Sequence, residues 1–389
     1  MTDTPDTGET IHTDVLIVGA GPVGVTLALA LAKSPLRVLL LDRQADGAWR
    51  KDPRALALSH GSRQLLERLD AWNAPAGTAI RRIHVSQRGG FGSTQIDAAD
   101  YAIPALGYVM RYRDLLAGLY AQLPPERLIA PATVTHIETT ADAATVTIDA
   151  SGKRQRVAAR LVVHAEGTPS DDPGVAVRDY GQHAIVCEVT PAGAHENRAW
   201  ERFTPDGPLA LLPVDEGYAV VLTVAPDQAA RILELSDDEF LATLNRQFGG
   251  RLDLVATGPR ASFPLALRLR RRLTGERQVW LGNTAQTLHP VSGQGFNLGL
   301  RDAWELAETL LDTVPGDPGK AAPLVAYALR RQPDRLGSAV FTDGIVRLFS
   351  NDIPPLKALR GLGLFALDLA PPLRHFVARR MIWGARAWP

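Results

Sequence analysis

Residues 14–42, DVLIVGAGPVGVTLALALAKSPLRVLLLD, decide the fold of this 389-residue chain. The apolar run over 14–18 stops at glycines, which is typical of a buried strand that enters a turn. Residues 22–33 then predict a helix, and residues 37–42 predict a second strand. Strand, helix and strand in this order predict a βαβ unit of an α/β fold.

The turn of this unit carries the pattern Gly19-x-Gly21-x-x-Gly24. The first glycine makes the turn, the second lets the backbone approach a pyrophosphate, and the third allows close packing of helix on strand. The N-terminus of the helix, which begins at Pro22, would face the phosphates. Asp42 ends the second strand, where its carboxylate would accept the hydroxyls of an adenosine ribose. The glycines, the helix and Asp42 follow one another in the order that dinucleotide binding requires, so together they predict it.

Composition excludes several other classes of protein. Apolar residues make up 46% and charged residues 22% of the chain, and the formal charge is zero, so nothing points to nucleic acid. The single cysteine, Cys187, excludes a disulfide framework and a cysteine zinc site. The run from Val15 to Ala32 is long enough to suggest a membrane helix, but its glycines and Pro22 argue against one. The acidic start lacks the features of a signal peptide, so we expect a cytoplasmic protein.

The rest of the chain predicts two further layers. Residues 133–163 read as a β meander, and residues 180–265 as a separate, strand-rich domain with a helix over 237–248. Length alone predicts two or three domains. The remaining predictions are a helix over 54–72 entered through a loop with Arg54, a helix start over 107–119 with Arg113, a strand at 279–281, a helix over 297–312 and a linker at 312–323.

A second glycine-rich stretch, GNTAQTLHPVSGQGFNLGLRD (282–302), predicts the other wall of the site. Only one dinucleotide fingerprint is present, so one dinucleotide is held tightly and a second one visits. Asn283 could hydrogen-bond a ribityl hydroxyl, and loop 289–296 would lie flat against a ring. The helix that follows would direct its N–H groups at the ring edge, which suits a flavin because a reduced flavin is negative near N1. His289 reads as a loop residue that forms hydrogen bonds more readily than as a catalytic base.

These residues resemble a known family, the FAD-dependent aromatic hydroxylases related to para-hydroxybenzoate hydroxylase. Within it the chain is most similar to the ubiquinone-biosynthesis hydroxylases, of the 2-polyprenyl-6-methoxyphenol hydroxylase-like kind. The resemblance covers nearly the whole chain. Its segments are VLIVGAGPVG (15–24), RALALSHGS (54–62), GYVMRYRDLL (107–116), YGQHAIV (180–186), ERFTPDGPLALLP (201–213), the 282–302 stretch and FTDGIVRLFSN (341–351).

The resemblance implies a Rossmann-like FAD domain with an inserted β-sheet substrate domain and a C-terminal helical region. The FAD domain would comprise 10–75, 100–178 and 268–320, the substrate domain 76–99 and 179–267, and the helical region 321–389. It also implies that NAD(P)H reduces the flavin and that O₂ then forms a flavin C4a-hydroperoxide, which hydroxylates a polyprenylated phenol. The implied cofactor contacts are Gly19, Gly21, Pro22, Gly24, Asp42, Arg43, Arg54, Arg113, Glu166, Gly167, Gly282, Asn283, Pro290, Gly293, Gln294, Gly295, Phe296 and Asn297.

The chain departs from the family pattern in AEGTPSDDP (165–173). Glu166 stands where the family has Asp, Pro173 stands where Arg is expected, and Asp171 and Asp172 add negative charge. The family uses this segment for FAD and NAD(P)H, so the nicotinamide preference is open. Electrostatics would favour NADH over the more anionic NADPH, or reduction assisted by a partner protein.

The chemistry requires neither a triad nor a metal, because the hydroxyl of a phenol already activates its ring and the protein need only position it. His289 is the candidate for assisting the phenol proton. Two alternatives stay open: another flavin enzyme on this scaffold, such as a prenyl-chain reductase or a halogenase, and a non-catalytic subunit of a quinone-biosynthesis complex. The seven tryptophans form no WxWxIP-like segment, which argues against a halogenase.

The last 46 residues, 344–389, combine seven basic residues with apolar runs too short to span a bilayer. Such a segment can lie on an anionic membrane, here the inner membrane, and collect an insoluble polyprenyl substrate. It can equally form a helical region that packs on the core, and the two interpretations are compatible.

Overall fold

The computed structural model describes residues 6–90, 92–168, 172–350 and 354–384. The first eleven strands are β1 Asp6–Val18, β2 Val38–Leu41, β3 Ala55–Ser59, β4 Gly77–Ile80, β5 Arg82–Gln87, β6 Ser93–Asp97, β7 Gly107–Arg111, β8 Leu128–Ile129, β9 Ala132–Thr139, β10 Ala144–Ala150 and β11 Lys153–His164. The other strands are β12 Val175–Pro191, β13 Arg198–Thr204, β14 Gly207–Val214, β15 Gly217–Val224, β16 Leu254–Thr257, β17 Ala261–Arg270, β18 Thr274–Gly275, β19 Gln278–Trp280 and β20 Gln286–Thr287. The helices are α1 Pro22–Ala30, α2 His60–Arg68, α3 Tyr112–Tyr120, α4 Pro226–Glu234, α5 Asp237–Phe248, α6 Gln294–Leu311, α7 Ala321–Phe349, α8 Pro354–Leu369 and α9 Pro371–Trp383.

The first sheet confirms the predicted βαβ unit. Its parallel strands follow the order β19-β11-β1-β2-β8, and β9 and β10 form an antiparallel arm beside β11. Both faces of β1 are buried: Leu16 packs among residues of β9–β11, whereas Ile17 packs in the main core with α1 and α6. Burial on both faces explains why the sequence of β1 is a continuous apolar run rather than an alternating one.

The second sheet has the strand order β20-β17-β12-β15-β14-β13-β5-β6, with β16 beside β12. Helices α4 and α5 cover its outer face, where Leu209, Leu222 and Phe240 share one apolar cluster. The helix predicted near 237–248 is confirmed as α5, Asp237–Phe248. Its start is set by Ser236, whose hydroxyl accepts from the N–H of Glu239 while the Glu239 carboxylate accepts from the N–H of Ser236.

A small third sheet, β3-β7-β4, corrects two predicted helices. The segments 54–72 and 107–119 each begin with a strand and turn helical only afterwards, at His60 and Tyr112. The strands form because the two segments pair with each other, an interaction between residues about 50 positions apart that helix-compatible composition conceals. Ser59 ends β3 and caps α2, since its hydroxyl accepts from the N–H of Ser62.

Three helices, α7 to α9, confirm the predicted helical C-terminal region. The predicted linker 312–323 is tied to the first sheet by an ion pair of 2.7 Å between Asp317 and the buried Arg277. Helix α6 begins at Gln294, three residues before its predicted start. In the part of the chain that the structure describes, every helix is too short or too polar to cross a membrane.

Candidate active site

The glycines of the first turn have different reasons to be glycine. Gly19 has φ +103°, and a Cβ there would lie 2.5 Å from the carbonyl of Ala165. A Cβ at Gly24 would overlap the carbonyl oxygen of Gly19. A Cβ at Gly21 would meet only the hydroxyl oxygen of Tyr112, at 3.6 Å. The fold therefore demands the first and third glycines, whereas the second leaves an open approach to the N-terminus of α1.

Asp42 lies where the prediction places it, at the end of β2 and beside the turn. Its Oδ2 accepts from the N–H of Ala20 at 2.8 Å, and its Oδ1 accepts from the N–H of Gln44 at 2.8 Å. Tyr120 donates its hydroxyl to the carbonyl of Ala20 at 3.0 Å, so two side chains hold the turn. Arg43 is exposed beside Asp42. A cleft next to these residues is lined by Asp46, Trp49, Tyr120, Pro125 and Leu128.

The two predicted arginines differ in their placement. The Arg54 guanidinium lies 4.6 Å above the ring of Tyr112 and is paired with Asp52 at 2.6 Å. Tyr112 in turn borders Gly21, so Arg54 is brought to the open side of the glycine turn. Arg113 is half exposed on α3, with its Nε 3.8 Å from Asp114.

The 282–302 stretch packs against α1 and β3. Gly299 lies against Val23 of α1, where a Cβ would approach to 2.9 Å, and Gly293 has φ +60° beside Ala57 of β3. Among the described residues outside its own helix turn, none comes within 4 Å of a Cβ at Gly295. The loop is therefore closed on its protein side and open at Gly295, as a surface for a flat group would be. Pro290, Gln294 and Phe296 are partly exposed along this loop, and Asn283 is exposed.

Asn297 joins this loop to β3 through hydrogen bonds from both the oxygen and the nitrogen of its side-chain amide. Its Oδ1 accepts from the N–H of Ser59 and the hydroxyl of Ser62, both at 2.7 Å. Its Nδ2 donates to the carbonyls of Ala57 and Gly293 at 3.0 and 2.9 Å. The residue thus fixes the distance between the two elements that border the open side of the loop.

His289 is buried at the start of the same loop. Its Nδ1 accepts from the N–H of Val291 at 3.1 Å, so the ring is neutral with its proton on Nε2. Burial lowers the pKa of His289 to about 4. The ring packs edge-on against Tyr180, with 5.2 Å between centroids.

Glu166 and Gly167 follow β11 at the edge of the site. Glu166 lies 3.1 Å from Nδ1 of His164, whose ring stacks on Trp280 at 4.9 Å. Gly167 has φ +98°, and none of the described residues beyond its chain neighbours comes within 4 Å of a Cβ there. Residues 169–171 lie outside the described residues. They include Asp171 of the 165–173 segment, which departs from the family pattern. Asp172 pairs with Arg270, an interaction that the sequence pattern does not predict.

A buried charge network behind the loop was also missed from sequence. Asp302 accepts from the N–H of Gly282 at 3.0 Å and from Gln286 at 2.6 Å, and it pairs with Arg331 at 2.7 Å. Arg331 also contacts Asp334, at 2.8 Å. The GLRD sequence at the end of the second stretch could have indicated this network. An acidic residue on the buried side of a helix needs a partner, so Asp302 predicts a buried cation nearby. No group of three or more potential metal ligands occurs among the described residues.

A glycine turn at the carboxyl end of a central parallel strand, open toward a helix N-terminus, defines a dinucleotide-binding protein. A family model described as "FAD binding domain" matches residues 12–335. The chain belongs to this family of FAD-dependent hydroxylases, and its cofactor is FAD.

Curated relatives share the family along nearly the whole chain. "Ubiquinone hydroxylase UbiL" of Rhodospirillum rubrum is 36% identical, covering 97% of this chain and 91% of the relative. "3-demethoxyubiquinol 3-hydroxylase" of Escherichia coli is 28% identical, covering 93% and 96%. The crystal structure of p-nitrophenol 4-monooxygenase PnpA from Pseudomonas putida has the same fold, with a TM-score of 0.78 at 18% identity over 97% of this chain and 100% of that one.

Proposed function

We propose that this protein hydroxylates a polyprenylated phenol in ubiquinone biosynthesis, with FAD as cofactor and with NAD(P)H and O₂ as co-substrates. The observation that carries the proposal is the end-to-end similarity to a protein named as a ubiquinone hydroxylase. Bound FAD would supply reduction by a nicotinamide and activation of O₂. The chain would bind and orient the phenol, hold the ring system and keep water out.

The residues present fit FAD. Gly21 and Gly295 are glycines that the protein's own packing does not require, and both lie on open surfaces. We propose that the first turn, with Asp42 and Arg43, holds the ADP half. Arg54, which precedes β3, and Arg113 on α3 would reach the cofactor, and loop 289–296 with Asn283 would line the flavin. Segments 10–75, 100–178 and 268–320 would then hold FAD, and 76–99 with 179–267 would cover it.

Replacing Gly21 by alanine is expected to weaken FAD binding by about 10- to 100-fold, because a methyl group would fill space that the pyrophosphate needs. Gly21 has φ −70°, which alanine also adopts, so the stability of the FAD-free protein should stay within about 0.5 kcal/mol of wild type. Fluorescence titration with FAD and urea unfolding measure the two quantities. Gly193→Ala, at an exposed loop glycine, is the control. Unchanged FAD affinity in Gly21→Ala would contradict the placement of the pyrophosphate.

The proposed activity is tested by the visible spectrum of the purified protein without oxygen, before and after NADH or NADPH, with and without a short-chain prenylphenol. We expect a flavin spectrum that bleaches faster when the phenol is present, and oxygen incorporation into the phenol once air is admitted. We further propose that NADH acts better than NADPH, since Glu166 is half exposed at the edge of the site and Pro173 stands where the family pattern has an arginine. A hydrogenated prenyl chain would indicate the reductase instead. A colourless protein that FAD cannot reconstitute would indicate a subunit of a biosynthetic complex.

We also propose that the C-terminal helices rest on the surface of the inner membrane. Leu362, Phe365 and Leu369 follow helical spacing along one side of α8, and Leu373 and Phe376 continue the exposed apolar surface on α9. These five side chains are 48–67% exposed. Exposed Arg379 and Arg380 follow them, as expected for a surface that meets anionic lipid.

The triple variant Leu362→Ser/Phe365→Ser/Leu369→Ser is expected to bind vesicles of phosphatidylglycerol at least about tenfold more weakly than wild type, because it removes most of the apolar surface available for insertion. Vesicle co-sedimentation measures the binding. Leu233→Ser, at an exposed position of α4 on the other side of the second sheet, is the control. Equal binding by wild type and the triple variant would contradict the proposed contact.

A further inference from the structure

Glu201 is a carboxyl group that the packing of the protein leaves without a partner. It lies on β13, and its Oε1 is buried and accepts no hydrogen bond from any described residue. Burial alone raises the pKa of Glu201 to about 8. The residue as a whole is only partly buried, although this oxygen is enclosed. A buried carboxyl oxygen without a partner is costly, so we expect Glu201 to have a ligand or a function.

The register of the second sheet shows which way Glu201 faces. Its neighbours two positions away, Ala199 and Phe203, lie on the same side of β13. Ala199 packs in a cluster with Val109 of β7, whereas Phe203 packs in a cluster with Val291 of loop 289–296. Glu201 therefore faces the interval between the third sheet and that loop.

That interval borders loop 289–296, which we propose lines the flavin. Loop 289–296 is held beside β3 by Asn297, and Gly295 is open. The inner face of the second sheet lies above both elements. Two further buried polar atoms on this face, Oε1 of Gln182 and Oγ1 of Thr223, also have no hydrogen-bond partner in the described part of the chain. A face that is mostly apolar and carries an unpartnered carboxyl suits a ligand with a polar group on an otherwise apolar body.

Other charged groups do not account for the properties of Glu201. On the same face of the sheet, Glu188 is engaged with Arg111 at 2.5 Å. Across the interval, Asp343 of α7 is engaged with Arg178 and Arg347. None of them contributes to the raised pKa of Glu201.

The neighbouring titratable rings do not change the pKa of Glu201 either. Tyr180 and His289 both lie toward the loop side of the interval, where they contact each other. Neither contributes to the pKa of Glu201. The strands on either side present Val85 and Ala210 at the positions that pair with it, so its immediate surroundings are apolar.

We infer that Glu201 contacts the phenol hydroxyl of the substrate and accepts its proton. The inference rests on the proposed function and adds the residue that handles the proton. The phenol O–H bond breaks, its electron pair stays on the phenolate oxygen, and the proton forms an O–H bond with the carboxylate. Net charge in the site is unchanged, and the electron-rich phenolate ring becomes easier to oxygenate.

The magnitudes favour Glu201 over His289 as the proton acceptor. Burial raises the pKa of Glu201 to about 8 and lowers the pKa of His289 to about 4. The Glu201 carboxylate is therefore the stronger base of the two and takes up a phenol proton more readily. His289 also uses its Nδ1 on Val291, so only a protonated Nε2 remains.

The test compares wild type with Glu201→Gln, which has the same shape but cannot take up a proton, and with Glu216→Gln, an exposed control in the β14–β15 turn of the same sheet. Hydroxylation of a short-chain prenylphenol should fall about 100-fold in Glu201→Gln. The rise of wild-type hydroxylation with pH near 8 should disappear in that variant. Glu216→Gln should match wild type. FAD content and the phenol-free flavin spectrum should be the same in all three proteins.

Three outcomes would overturn the inference. If wild type hydroxylates the phenol and Glu201→Gln keeps its rate and pH profile, Glu201 does not accept the proton and the proposed function stands. If Glu201→Gln shifts the flavin spectrum without phenol, the residue contacts the cofactor instead. If wild type binds FAD but neither binds nor hydroxylates any prenylphenol, the proposed function fails together with the inference.

Discussion

Replacing Arg331 by leucine is expected to destabilise the protein by about 3–5 kcal/mol, the range measured when one partner of a buried ion pair is removed. Arg331 is 2% exposed, and its guanidinium bridges Asp302 at 2.7 Å and Asp334 at 2.8 Å. Leucine would leave Asp302 buried with only the N–H of Gly282 and the amide of Gln286 as donors. Asp302 holds Gly282, the first residue of the 282–302 stretch that we propose lines the flavin, so weaker FAD binding should accompany the lost stability.

Urea unfolding of the FAD-free protein, followed by tryptophan fluorescence, measures the effect. Arg330→Leu is the matched control: the neighbouring arginine is 40% exposed and lies 3.6 Å from an exposed Asp312, so its loss should change stability by less than about 1 kcal/mol. Equal unfolding midpoints for the two variants would show that the network does not stabilise the fold.

The stability lost in Arg331→Leu is expected to depend on pH. Although burial opposes it, Arg301 and Arg331 hold the pKa of Asp334 well below its ordinary value. A depressed carboxyl pKa stabilises the folded state above the unfolded pKa of about 4, and this contribution is lost as the pH falls through the folded pKa. The difference between wild type and Arg331→Leu should therefore be largest near neutral pH and shrink in acid.

Replacing Gly19 by alanine is expected to destabilise the protein by about 2–6 kcal/mol and to abolish FAD binding. The left-handed φ of +103° costs a non-glycine residue about 1–3 kcal/mol. The new Cβ would lie 2.5 Å from the Ala165 carbonyl, and relieving that overlap costs about 1–3 kcal/mol more. Gly24→Ala should behave similarly, because its Cβ would overlap the carbonyl oxygen of Gly19.

Urea unfolding and FAD titration again measure the result. Gly344→Ala is the control, since Gly344 lies inside α7 with no atom within 4 Å of an added Cβ and alanine should stabilise that helix by up to about 1 kcal/mol. The comparison with Gly21→Ala separates two roles: Gly19→Ala should lose both stability and FAD, whereas Gly21→Ala should lose only FAD. A Gly19→Ala protein with wild-type stability would contradict the packing of the turn against β11.

Local features of the sequence were enough to predict the βαβ unit, helix α5 and the family. The glycine spacing, the helical pattern near 237–248 and the apolar run of β1 each act within a few turns or one strand, so their meaning does not depend on distant residues. The structure adds that Ser236 and Glu239 cap helix α5 locally. The same reasoning failed for 54–72 and 107–119, where strands β3 and β7 exist only because each provides the hydrogen-bond partners of the other.

Only the tertiary structure decided which charged residues form buried ion pairs and which are buried without a partner. Asp302 and Arg331 are 29 positions apart and become partners through the packing of α6 on α7. Glu201 is an ordinary residue in a strand sequence, and its isolation follows from what β5, β14, the third sheet and loop 289–296 place around it. Local pattern determines which elements form, because hydrogen bonding and side-chain periodicity act over short distances along the chain. The environment of a buried charge is set by residues distant in sequence, and only the assembled fold brings them together.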